Sequence, residues 1–386
     1  DKHAPLNDSI ANLNLPALQF ELTTHAAEIL WEHIRINSFK GSLGINGTYQ
    51  ENTYEGRFFI PNFQKIGAGI FWIESWKPKS SKLEIESGVR FDNIYQRVYM
   101  WQYGAIVSPA QNYMNMSSTL GAIYKVNKQL ILRSNLGTAW RPPNINELYS
   151  NGLHHGAASI EIGDSTLVTE KAVNVSASIE YSGKRLSLVL DAYYNVINDF
   201  IYLKPTLVPT VTIKGAFPTF VNDQVNAHLR GLDLTLSYAL TKELKVISKA
   251  SILRAFNQTT RQYLVMMPSD RFENSLEYNF KDGKKVENAY VSLSVTSVLK
   301  QSRVPENSDY ANPPEGYTVL NFAAGIDIPL KGNRISLGIS ANNLLNTRYR
   351  DYMNRFRYFA DEMGRNISVR ATIPFTLFTP KSIHNE

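Results

Sequence analysis

The chain has 386 residues, a formal charge of +6 and no cysteine, which excludes a disulfide framework, thiolate metal sites and thiol catalysis. Hydrophobic residues are 43% of it, yet no run approaches the ~18 consecutive apolar residues of a spanning helix. The basic residues are scattered over turns and loops without a basic helix or nucleic-acid module, so no nucleic-acid partner is expected.

From residue 18 to about residue 375 one pattern repeats about fifteen times: alternating apolar and polar residues, then a break. The first such stretch covers about 18–36. Further along, Val173, Val175, Ala177, Ile179 and Tyr181 alternate with Asn174, Ser176, Ser178 and Glu180. The same alternation follows in Leu186, Leu188, Leu190 and Ala192, and again in Leu232, Leu234, Leu236 and Tyr238. Ile335, Leu337, Ile339 and Ala341 continue it, and Ile367, Val369, Ala371, Ile373 and Phe375 close it. Side chains change face at every residue of a strand, so each stretch offers one greasy side and one wet side.

The breaks alternate in kind. Short Lys/Gly/Ser-rich turns fall near 37–42, 77–82, 127–129, 182–184, 241–243, 281–285 and 331–333. Longer, aromatic and Arg-containing loops fall near 51–65, 99–112, 141–168, 204–217, 257–268, 301–315 and 350–363. This two-sided rhythm predicts an all-β, antiparallel up-and-down transmembrane β-barrel, with short turns facing the periplasm and long loops facing outside. A soluble β-sandwich or β-solenoid also alternates. Its strands are usually about 5 to 6 residues, whereas many runs here reach about 10 to 15. The rhythm never changes character, so residues 1–386 read as one architectural unit. The last strand, about 364–375, runs inward. An odd count then starts the first strand outside, whereas single-chain bacterial barrels have even counts. Strands N-terminal to these are therefore expected to be missing from the sequence.

Two blocks carry a family resemblance. The first is Ala139-Trp140-Arg141-Pro142-Pro143-Asn144-Ile145-Asn146-Glu147-Leu148-Tyr149, followed by Gly152-Leu153-His154-His155-Gly156, Glu161-Ile162-Gly163-Asp164, Leu167 and Glu170. The second is Asn342-Asn343-Leu344-Leu345-Asn346, Tyr349, Gly364-Arg365-Asn366 and the closing Ile373-Pro374-Phe375. Together they resemble the barrel of TonB-dependent outer-membrane receptors. The resemblance implies a barrel of about 22 strands, of which about seven, with the plug and the TonB-binding box, have no counterpart here. It implies location in the bacterial outer membrane and import of a scarce nutrient with energy relayed by TonB through a plug domain. It also implies contact with membrane lipids and lipopolysaccharide, and a terminal aromatic, Phe375 (or Phe378), read by the barrel-assembly machinery.

Candidate ligand contacts lie in the loops. His154 and His155, with Glu161 nearby, could coordinate zinc or ligate a haem iron, although adjacent loop histidines do not easily share one tetrahedral metal. The alternative is a solvent-exposed pair. The last loop interleaves Arg350, Arg355 and Arg357 with Tyr352 and Tyr358. Guanidinium groups grip carboxylate or phosphate and flat rings stack on planar ligands, which would suit an anionic iron chelate or porphyrin. The alternatives there are lipopolysaccharide phosphates or pairing with Asp351, Asp361 and Glu362.

No nucleophile elbow, His-Glu-x-x-His or P-loop is present, so no enzymatic activity and no cofactor are expected. The leading expectation is active import of a metal complex, with an iron complex (siderophore or haem) foremost and zinc or another non-iron nutrient as the alternative. A passive porin-like channel and a soluble carbohydrate-binding protein are the other readings.

Overall fold

A computed structural model describes residues 16–330 and 333–374. Among these residues fifteen long strands form the wall. They are β1 (Leu18–Glu32), β2 (Phe39–Gly56), β3 (Asn62–Trp76), β4 (Leu83–Gln102), β5 (Ala110–Lys125), β6 (Leu130–Arg141), β7 (Glu170–Ser182) and β8 (Leu186–Pro205). They continue as β9 (Thr219–Ala239), β10 (Leu244–Asn257), β11 (Arg271–Asn279), β12 (Glu287–Val298), β13 (Tyr317–Leu330), β14 (Asn333–Asn342) and β15 (Asn366–Thr372). Each pairs antiparallel with the next in sequence. No ladder joins β15 to β1 among the described residues, so the described wall is an open arc with two edges.

The register shows which face is greasy, because directly opposed residues in an antiparallel pair point the same way. Ile45, Ile70, Phe91 and Met116 oppose one another across β2 to β5. Leu132, Ile179, Leu190 and Leu234 do so across β6 to β9. Leu276, Leu293, Phe322, Ala341 and Ile367 complete the series across β11 to β15. Most of these side chains are exposed, Met116 at 65% and Ile367 at 61%, although they form continuous apolar rows. That is a surface for lipid rather than for water. The other face carries Arg90, Asp92, Asn135, Ser176, Asp191, Thr235 and Glu273, the wet lining of a lumen.

Aromatic rings on the wet face pack over glycines on the neighbouring strand. Tyr193 directly opposes Gly231, and a Cβ there would come within 2.2 Å of the ring. Tyr290 opposes Gly325 in the same way, at 2.6 Å. Each glycine leaves the slot that its partner's ring fills, which fixes the register of β8 on β9 and of β12 on β13.

Several boundaries move. The break expected over 51–65 shrinks to 57–61, because Glu51 opposes Gln64, whose Nε2 donates to its Oε1 at 3.0 Å. β1 ends at Glu32 rather than near 36, since Ile36 bridges Phe39 around Asn37, which has φ 55°. β15 covers Asn366–Thr372, shorter than 364–375. Phe375, Phe378 and part of the expected turn at 331–333 lie outside the described residues.

Candidate functional site

The long loops at one rim pack on one another, and the first motif block builds the largest piece. Helix α1 (Ile145–Tyr149) begins at a capping box, with Asn144 N donating to Glu147 Oε2 at 2.7 Å. Arg141, at the end of β6, grips Glu147 at 2.8 Å and Glu170 at 3.1 Å, tying the helix to the strands on both sides of the loop. Ile145 packs on Phe63 and Val98, while Leu148 packs on Leu167 and Ile201. The Trp-Arg-Pro-Pro-Asn stretch is thus a strand-to-helix corner held by a paired guanidinium and two small apolar cores.

Beyond α1, the hairpin Asn151–His154 and Ser159–Ile162 runs beside the start of β9, with Ile160 and Glu161 pairing parallel to Thr219 and Phe220. This register puts Glu161 in a buried position, 5% exposed. His154 Nδ1 lies 2.7 Å from Glu161 Oε1 and stacks obliquely on Phe59 at 5.2 Å. Arg355 donates from Nη1 to the same Glu161 oxygen at 2.7 Å and from Nη2 to Ser159 Oγ at 2.7 Å. Its guanidinium lies over the buried Phe220 ring at 4.8 Å. Burial alone would raise the Glu161 carboxyl, but the His154 hydrogen bond and the Arg355 charge outweigh it and hold the group below its ordinary value.

His155 opens a short 3-10 turn, His155–Ala157. The His154 side chain is 44% exposed, so its ring edge away from Glu161 faces the rim.

The last loop forms a second cluster. Arg357 is 3% exposed, pairs with Asp309 and donates from Nη1 to Tyr352 O at 2.6 Å. It is sandwiched between the Tyr352 and Tyr358 rings at 4.6 and 4.5 Å. Tyr358 donates to Asp309 at 2.5 Å, and burial with that carboxylate pushes its hydroxyl upward, so it stays a neutral donor. Tyr352 OH accepts from Met266 N at 3.3 Å, bringing in a third loop. Arg350 pairs with Asp361 at 2.8 Å and donates to Arg357 O at 2.6 Å.

The structure therefore joins His154, Glu161 and Arg355 in one cluster and Arg350, Tyr352, Arg357 and Tyr358 in another. Glu161, a candidate in the sequence, is the shared acceptor of the first cluster, whereas Asp309, the buried counter-ion of the second, was not among the candidates. Among the described residues no group of three His, Cys, Asp or Glu is placed to hold a metal ion. Lower on the wet face lies a recess of about 440 Å³ lined in part by Glu86, Arg133, Asn135, Asp191 and Tyr193.

Comparison with known proteins gives the class. The sequence matches the family described as TonB dependent receptor-like, beta-barrel, over residues 8–344. The chain belongs to that family, an antiparallel barrel of the bacterial outer membrane. Its fold is similar to that of the copper transporter OprC, at 17% identity and TM-score 0.77, covering 96% of this chain and 60% of that one. It is also similar to the FrpB iron transporter from Neisseria meningitidis (F3-3 variant), at 15% identity and TM-score 0.64, covering 91% and 54%. A third is the ferric yersiniabactin uptake receptor FyuA from Yersinia pestis, at 13% identity and TM-score 0.58, covering 92% and 54%. The chain thus spans little more than half the length of these solved structures. No match is found among curated proteins.

Proposed function

We infer that this chain forms the ligand-capturing rim and part of the conducting wall of a TonB-energised importer. Its nutrient is an iron complex, a siderophore or haem. The observation that carries this reading is the His154–Glu161–Arg355 cluster, which joins loops 194 residues apart at the rim. A carboxylate that fixes a histidine's tautomer leaves the other ring nitrogen oriented and basic, the arrangement metal-ligating histidines use. The similar FrpB iron transporter and ferric yersiniabactin uptake receptor FyuA support the same class of nutrient, and the copper transporter OprC makes copper the competing cargo in the test. Import of this kind would further need a plug domain to close the lumen and relay TonB's pull.

The test is growth of a deletion strain, complemented with wild type or variants, on haem, siderophore-bound iron, copper or zinc as the limiting metal source. Wild type should restore growth on one iron complex. His154→Ala and Glu161→Gln should lower uptake of that complex by about 10- to 100-fold, the usual scale for a ligand or its supporting carboxylate. Unchanged uptake in His154→Ala, or rescue confined to a non-iron metal, would overturn the assignment.

A further inference from the structure

Beneath α1 the wet face holds polar groups that the protein leaves unsatisfied. Lys65 on β3 directly opposes Gln96 on β4, and Gln96 opposes Gln111 on β5. The three fall in one row, about 10 Å long at the usual strand spacing. They share the lumen side with Arg90 and Asp92, since Gln96 lies an even number of positions along β4 from both. The row above is apolar: Phe63 opposes Val98, and Ile145 of α1 packs on both. Tyr149, at the end of the helix, accepts from Gln111 Nε2 at 2.7 Å.

What the row lacks is specific. Gln96 is 0% exposed, and its Nε2 donates to Tyr113 OH at 3.4 Å, while its Oε1 has no donor among the described residues. Gln111 Oε1 is likewise buried without a donor among them. The Lys65 ammonium group meets neither a carboxylate nor a hydrogen-bond acceptor among the described residues. Native structures pair nearly all buried polar atoms, so two orphaned acceptors beside an unmatched cation mark a place that something else completes. Lys65, Gln111 and Tyr113 are partly exposed, which opens the row to the lumen.

The missing parts define the occupant. Two amide oxygens call for two O–H or N–H donors, and the ammonium group calls for an anion. A charged donor would stand one strand spacing from the like charge of Lys65, so the donors are neutral. We propose that Lys65, Gln96 and Gln111 bind a small polyhydroxy acid, with its carboxylate on Lys65 and neighbouring hydroxyls donating to Gln96 Oε1 and Gln111 Oε1. The site needs no metal and uses none of the residues of the His154–Glu161–Arg355 cluster, so it stands or falls apart from the iron-complex reading.

The test is calorimetric titration of the protein, extracted from outer membranes into detergent, with three metal-free probes. Gluconate carries a carboxylate and hydroxyls, sorbitol the hydroxyls alone, and propanoate the carboxylate alone. Wild type should bind gluconate about tenfold or more tightly than either of the others, the scale of one charge-assisted contact or a pair of neutral hydrogen bonds. Lys65→Met should bring gluconate down to the level of sorbitol, while Lys65→Arg should keep part of the affinity. Gln96→Met, a change of similar size, should weaken gluconate by about tenfold and leave propanoate unchanged. Unchanged heat-modifiable migration in gels certifies that a variant is folded, and Gln111→Met, on a partly exposed residue, keeps the test open should Gln96→Met fail to fold. No gluconate binding by wild type, or equal binding of sorbitol or propanoate, would overturn the site. So would full gluconate affinity in Lys65→Met or in the glutamine variants. Binding is read without iron and without transport, so its failure leaves the uptake result for His154→Ala untouched.

Discussion

Arg355 and Arg357 are two residues apart and serve different loops. Arg357 is closed off between two tyrosine rings with Asp309 as its counter-ion. Removing one member of a buried pair strands the other, so Arg357→Ala should cost about 3–5 kcal/mol. The loss should appear as easier local opening of residues 343–365 by hydrogen exchange, while Arg357→Met combined with Asp309→Leu should recover much of it. If the single and double variants open equally, the pair is not what locks the loop. Glu161 gives a pH prediction. Its carboxyl is held below the ordinary 4.5, so the tie to Arg355 is fully present above that value and is lost as pH falls through the lowered one. Exchange protection in 151–162 should therefore drop as the pH is taken well below 4.5, and Glu161→Gln should abolish that dependence. The residue types of both clusters were legible in the sequence, as an Arg/Tyr-rich loop and a His-His pair near a carboxylate. Their partners were not. Asp309 is 48 positions from Arg357 and Glu161 is 194 from Arg355, beyond any local spacing rule.

At the scale of strands, alternation is the whole signal. Odd and even positions of β9 separate cleanly into Leu232, Leu234, Leu236 and Tyr238 on one face and Asp233, Thr235 and Ser237 on the other. Leu234→Arg, near mid-height, should destabilise the barrel by about 2–4 kcal/mol in bilayers, whereas Thr235→Arg on the wet face should cost far less. Denaturant titration in lipid vesicles reads the difference, and equal costs would contradict the face assignment. Gly231→Val should cost about 1–3 kcal/mol, because its side chain needs the space of the Tyr193 ring and overpacking forces that ring away. Strand identity could be read early because the period is two and the runs are long. Loop edges were harder. Residues 51–56 and 62–65 carry polar, turn-forming side chains, yet the ladder continues through them because Glu51 and Gln64 satisfy each other across the pair.

The described residues form a continuous antiparallel wall, wet on one face and greasy on the other, crowned by interlocked loops. An arc with these rows needs lipid against its greasy face, since exposed apolar rows of this extent in water would associate. The strand count was readable from the rhythm, and the family from the two motif blocks. The nutrient was not, because recognition rests on contacts between loops that only the folded chain brings together. The absence of native cysteine makes the central claim directly measurable. Single cysteines placed at residues 232 to 237 in turn, labelled with bimane in the protein embedded in bilayers, report contact with brominated acyl chains. The account predicts strong quenching at 232, 234 and 236 and little at 233, 235 and 237. Uniform quenching, or none at the even positions, would contradict a wall with lipid on one side and a lumen on the other.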